Sequence, residues 1–185
     1  MNTFSAKTVN LNKISIKKQT LISLCAIVTA VALPQFFHVM GAISGMGTAL
    51  GEIFLPMHLP IIFVGFFAGP FAAALAGAIS PIVSFYLTGM PSFALLPFMV
   101  IELFSYGLFA GLLKNSKIPV TVKVFMVQFI GRAIRALAIL FAVYLLDYSG
   151  IKASMILESI PKGMFGIVLQ LVLIPLMLYR VKTNE

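Results

Sequence analysis

Negative charge is scarce in this sequence: five Asp and Glu stand against thirteen Lys and Arg in 185 residues, and charged residues of both signs make up only 10%. A soluble domain carries roughly 25% charged and roughly 45–50% apolar residues, whereas here 61% are hydrophobic. A soluble fold of this length has no interior large enough to hide them. Cysteine is almost absent too; Cys25 stands alone in an apolar block, which excludes an intrachain disulfide and leaves the redox compartment unmarked. The acidic residues are too few for the aspartate cluster of a metal-dependent membrane transferase. No His-Glu-x-x-His helix, Gly-x-Ser-x-Gly elbow or phosphate loop occurs. The chain therefore reads as no enzyme, with no cofactor and no metal site, and as unable to use ATP by itself.

What the sequence has instead is apolar blocks of about 20 residues, the length that crosses a hydrocarbon core of about 30 Å. Spans are expected at 19–38, 54–68, 70–88, 93–113, 119–146 and 155–179, separated by helix-ending residues such as Gly69-Pro70, Gly89-Met90-Pro91 and Asn115 to Pro119. The second span is short and begins among Pro56 and Pro60, so it also reads as partly re-entrant. No internal polar run is long enough for a linker. The expectation is an all-α integral membrane protein with one domain over 1–185: a basic tail at 1–18, a six-transmembrane-helix bundle at 19–179 and a short tail at 180–185.

The charges orient this bundle. Nine Lys and Arg fall on the side that holds Lys7 to Lys18, the 114–123 break and the tail with Arg180 and Lys182, against only Lys152 and Lys162 on the other. The positive-inside rule then makes both termini cytoplasmic, in a cell membrane of prokaryotic plasma-membrane type. The same rule accounts for the net charge of +8 without nucleic acid as a partner. Basic residues followed by an apolar run and Ala30-Val31-Ala32 also look like a cleavable signal, but removing that span would upset the charge count. A retained first helix is expected.

Two cations remain inside the apolar blocks. In FMVQFIGRAIRALAIL, residues 125–140, Gln128, Arg132 and Arg135 recur at i, i+4 and i+7, one face of the fifth helix. Glu102 with Ser105 and Tyr106 makes a similar stripe on the fourth span, and Ser80 with Ser84 a weaker one on the third. Arg132, Glu102 and Gln170 fall near one depth. Ionisable groups at mid-membrane cost about 2.5–3.5 kcal/mol on insertion scales and therefore face protein or water. The plain interpretation is one structural ion pair. Two arginines against one glutamate leave a surplus cation, which a bound acid would neutralise. Candidate substrate contacts are Arg132, Arg135, Glu102, Gln128 and Ser84, with His58 at the outer end of the second span as either an interfacial residue or a contact. Residues 40–52, MGAISGMGTALGE, have glycines enough for a gating loop. Ala26/Ala30, Gly65/Gly69 and Gly107/Gly111 are small-residue pairs suited to close helix packing.

Taken together, the six spans, the Ala26-Ile27-Val28-Thr29-Ala30 stretch, the glycine-rich 40–52 segment and LPMHLPIIFVGFFAGPFAAALAG at 55–77 make the chain resemble the substrate-binding S components of energy-coupling factor (ECF) vitamin transporters. The 55–77 segment looks like the pantothenate-type group. The resemblance implies capture of a water-soluble vitamin or precursor outside the cell, and docking on a coupling transmembrane subunit that carries two ATPase subunits. Ala26 and Ala30 would face the coupling subunit, and the 40–52 loop would gate the pocket. The sequence departs from members that stack flat rings on indole, since it has no tryptophan; Tyr86, Tyr106 or phenylalanines would serve instead. Two other functions fit the residues: a stand-alone secondary transporter with Glu102 as the coupling group, and a non-transporting interaction protein.

Overall fold

A computed structural model describes residues 16–47 and 49–183. Lys7 and Lys13 of the expected basic tail, Thr48 of the expected gating loop, and residues 184–185 lie outside the described residues. The chain runs through α1 (Ile16–Ile43), α2 (Ala49–Phe54), α3 (His58–Ala68), α4 (Pro70–Thr88), α5 (Leu96–Leu113), α6 (Val120–Leu145) and α7 (Met155–Thr183), with no strand among the described residues. Six stretches are long and apolar enough to cross a membrane, with α2 and α3 together making the second. This is the make-up of a multi-pass membrane protein.

The expected boundaries hold within a few residues for α3 to α6 and fail at the ends of α1 and α7. α1 starts at Ile16, taking in Lys17 and Lys18, and α7 continues to Thr183, taking in Arg180. Neither region contains a Gly or Pro to stop a helix, and long basic side chains can lie along an apolar surface while their heads stay in water. The 40–52 segment is not a free loop either: Met40–Ile43 belong to α1 and Ala49–Glu52 to α2. Gly47 N donates to Gly41 O at 3.0 Å, and a side chain on Gly41 would strike that Gly47 carbonyl. Here glycine serves a tight reversal.

The second crossing breaks between α2 and α3, where Leu55 has a left-handed φ of 49° ahead of Pro56. Eleven residues of α3 rise only about 17 Å, so α2 must supply the rest of the depth. Irregular backbone at membrane depth survives when protein satisfies it, and Gln170 Nε2 of α7 donates to Leu55 O at 3.2 Å. Phe54 stacks on Phe37 of α1 at 4.7 Å and meets Phe165 of α7 edge-on at 5.1 Å, so α2 is held from both sides.

α3, α4 and α5 form the centre, with 44–50% of their crossing residues buried against 22–28% in α1, α6 and α7. Their closeness comes from glycine. A Cβ on Gly77 would collide with Leu103 O, on Gly107 with Ala73 O, on Gly111 with Pro70 N, and on Gly65 with the Ala110 methyl. Gly69 belongs to no such seam: at φ 107° and ψ 179° it makes the corner between α3 and α4, with open space where a Cβ would be. Ala26 and Ala30 are 3% and 0% exposed and pack into the main core with Ile61, Ala72, Ala76, Leu103 and Ala110. The expectation that they face a partner subunit is thereby corrected: small side chains on α1 are used to approach α3 and α4, while Leu21, Leu24 and Val28 point outward.

This core fills the end of the bundle near Ile16 and Thr183. There Lys114 Nζ donates to Phe67 O at 2.6 Å and Lys123 Nζ to Lys114 O at 3.0 Å, so basic residues counted for topology also satisfy the last carbonyls of α3 and α5. If the glycine seam sets the packing, Gly77→Ala and Gly107→Ala should each destabilise by about 1–3 kcal/mol through overpacking, despite the better helix propensity of alanine. Thermal unfolding in detergent checks this. Val122→Ala, on an exposed side of α6, should leave the midpoint where it is.

Candidate functional site

At the opposite end the helices part around a pocket of about 310 Å³. Its lining comes from the C-terminal halves of α1, α4 and α6 and the N-terminal parts of α3, α5 and α7, joined by α2 and the 90–95 turn. That pattern requires consecutive crossings to alternate in direction, so the pocket is remote from the described chain ends. α1 contributes Pro34 to the wall from within the helix, where it removes one backbone donor.

Glu102 is the floor's organising group. It is 1% exposed, accepts the Tyr106 hydroxyl at 2.9 Å on Oε1 and Arg135 Nη1 at 3.1 Å on Oε2. Tyr106 is one helical turn further along α5 and faces the same way as Glu102. Its ring packs against His58, centroids 5.2 Å apart. The imidazole Nε2 lies 3.7 Å from Glu102 Oε1, beyond hydrogen-bond length, and neither ring nitrogen has a hydrogen-bond partner. His58 is thus buried at the pocket surface beside Glu102 and Tyr106, with no hydrogen bond on either ring nitrogen.

Arg132 lies one turn before Arg135 on α6 and also lines the pocket. Among the described residues no carboxylate is within ion-pair distance of it, and its buried Nε has no hydrogen-bond partner. Its guanidinium reaches α7 at Gly163, where a Cβ would come within 2.8 Å of Nη2. Within the Glu102–Arg132–Arg135 group the positive charge left without a direct partner therefore resides on Arg132, while exposed Glu158 lines the same pocket. A guanidinium presents planar, divergent N–H donors that fit a carboxylate or phosphate in two-point fashion.

Of the other expected contacts, Ser84 is buried and lines the pocket, while Gln128 does not. Gln128 Nε2 donates to Gln170 Oε1 at 2.9 Å, and Gln170 in turn holds Leu55 O. The expectation that Gln128 contacts substrate is corrected to a supporting place beneath the pocket, because its turn of α6 lies deeper than those of Arg132 and Arg135. Ser80 and Ser105 bond their own helices at Ala76 O and Ile101 O, so their stripes bring fewer free polar groups than expected.

Sequence reasoning missed four methionines in the wall, Met57, Met90, Met99 and Met155, and the rim pair Glu52–Lys162 at 3.1 Å with exposed Glu158 beside it. Met99 was detectable as the residue one turn before Glu102; the others come from separate elements. Thioethers are polarisable and conform to irregular ligands. The rim pair, with side chains 52% and 56% exposed, contributes little to stability. His38 also lines the pocket, with its buried Nδ1 unpartnered.

No family model, curated protein or solved structure matches the chain. The two arginines should separate experimentally. Arg135→Met strands the Glu102 carboxylate and should cost about 3–5 kcal/mol. The double change Arg135→Met with Glu102→Leu should recover most of that loss, and Arg132→Gln, which breaks no ion pair, should cost little. Denaturation midpoints of the purified variants distinguish these three.

Proposed function

We propose that the protein is a capture component for a small acidic solute, the S component of an ECF-type importer that takes a water-soluble vitamin or precursor from outside the cell. The observation that carries this reading is Arg132: a guanidinium with no ion pair or hydrogen bond among the described residues, at the wall of a pocket of about 310 Å³ that opens at the end away from the described chain ends. Its guanidinium faces the pocket without a protein acceptor, so an arriving anion gains charge-assisted hydrogen bonds there. His58, Ser84 and the methionines would complete the recognition surface around the acid's remaining atoms. The charge asymmetry of the sequence supports an outward-opening pocket, since the pocket end holds far fewer basic loop residues.

In this reading transport energy comes from a coupling subunit and two ATPase subunits. With Ala26 and Ala30 turned inward, docking would fall to the exposed face of α1 with Leu21, Leu24 and Val28. Glu102, already engaged by Tyr106 and Arg135, is poorly placed as the free coupling carboxylate of a stand-alone secondary transporter. An interaction protein has no use for an unpaired arginine in a cavity.

Mass spectrometry of small molecules released from the purified protein should find a retained acid, and affinity purification from native membranes should recover a coupling subunit with ATPases. Arg132→Gln should lower ligand occupancy by at least about tenfold, the scale of one lost charge-assisted contact, with the thermal midpoint unchanged. Retention of nothing by the wild type, or unaltered occupancy in Arg132→Gln, would remove the basis for the proposal.

A further inference from the structure

Arg132, Arg135 and Ser159 line two cavities at once. The second, about 320 Å³, lies between α6 and α7, and apart from these three side chains its lining is apolar: Phe129, Ala133, Ala136 and Ile139 from α6, Ile156 and Ile160 from α7. Phe129, Ala133 and Ile160 are exposed, so this cleft opens sideways from the bundle rather than at its end. The three shared residues form the partition between the end pocket, whose mostly apolar wall carries the charged groups, and a lateral apolar slot. Ser159 is not a barrier, because its hydroxyl turns back to Ile156 O at 2.8 Å.

The partition also has polar atoms to spare. The Nε atoms of both arginines are buried without hydrogen-bond partners. At Pro161 of α7 the backbone has no donor for the Leu157 carbonyl. An apolar slot of this volume has no use for water, which requires several polar partners, whereas its walls suit the dispersion contacts of an alkyl chain. Charge and shape thus specify the two ends of one molecule.

We infer that the site takes an amphiphilic acid, whose anionic group meets Arg132 in the pocket and whose apolar arm passes the partition into the α6–α7 cleft. This rests on the acid-capture reading above, which by itself says nothing of an arm. Such an acid can arrive from water or from the bilayer, as a free alkyl acid or as an anionic lipid.

The test is binding of radiolabelled butanoate and octanoate to the full chain in phosphatidylcholine nanodiscs, corrected with empty nanodiscs. Octanoate should bind at least about tenfold more tightly than butanoate, a modest share of what full burial of the added methylenes would give. Ala136→Phe and Ala133→Phe, which fill only the cleft, should remove that difference and leave butanoate binding intact, with folding followed by thermal midpoint. Arg132→Gln should weaken both acids. Competition by added phosphatidylglycerol would assign the ligand to the bilayer, and absence of competition would assign it to water; the amphiphile stands in both cases. Equal affinity for the two acids in the wild type, or a chain-length gain that persists in both cleft-filling variants, would overturn the arm while leaving acid capture standing. Binding of neither acid would overturn the amphiphilic ligand, and acid capture falls with it only if the purified protein also retains no acid.

Discussion

One buried carboxylate shared unequally between two cations governs the site. Glu102 has two oxygens and fills both, one with Tyr106 and one with Arg135. Arg132, on the next turn of the same helix, is left without an acceptor. A single ion pair would have locked α5 to α6 and ended there. The unequal count leaves a guanidinium at the pocket wall with donors that no described residue takes up, and the proposed acid capture rests on it.

That surface exists only because the bundle is packed unevenly along its length. At one end, glycines at 65, 77, 107 and 111 let α3, α4 and α5 approach to backbone contact, and Ala26 and Ala30 bring α1 in as well. At the other, bulkier residues, Pro34 and the broken α2–α3 segment hold the helices apart. The Gln128–Gln170–Leu55 chain of hydrogen bonds crosses between these regimes and fixes the break in the second crossing against α7. Close packing at one end thus supplies the rigidity with which the open end can hold charged groups apart from one another.

The α6–α7 boundary holds a lateral apolar cleft, and Arg132 and Arg135 stand between that cleft and the end pocket. A ligand at that seam would touch both the polar interior and the hydrocarbon-facing surface. Recognition there depends on chain length as well as charge, a combination that an enclosed polar pocket does not provide.

The number of crossings, the corner at Gly69-Pro70, the inward turn of Arg132 and Arg135 and the membership of Glu102, His58 and Ser84 in one polar region follow from the sequence alone. Each depends on local properties: apolar length, the conformational demands of Gly and Pro, helical period and the energetic cost of burying charge in hydrocarbon. Other features needed the folded chain. The sequence could not say that Arg135 rather than Arg132 takes Glu102, that Gln128 lies beneath the pocket, that Ala26 and Ala30 point inward, or that α2 forms where a loop was expected. These depend on how far each helix is rotated about its axis and slid along its neighbour. Periodicity repeats every turn and so leaves both quantities open until the glycine contacts and side-chain volumes of the whole bundle choose among them.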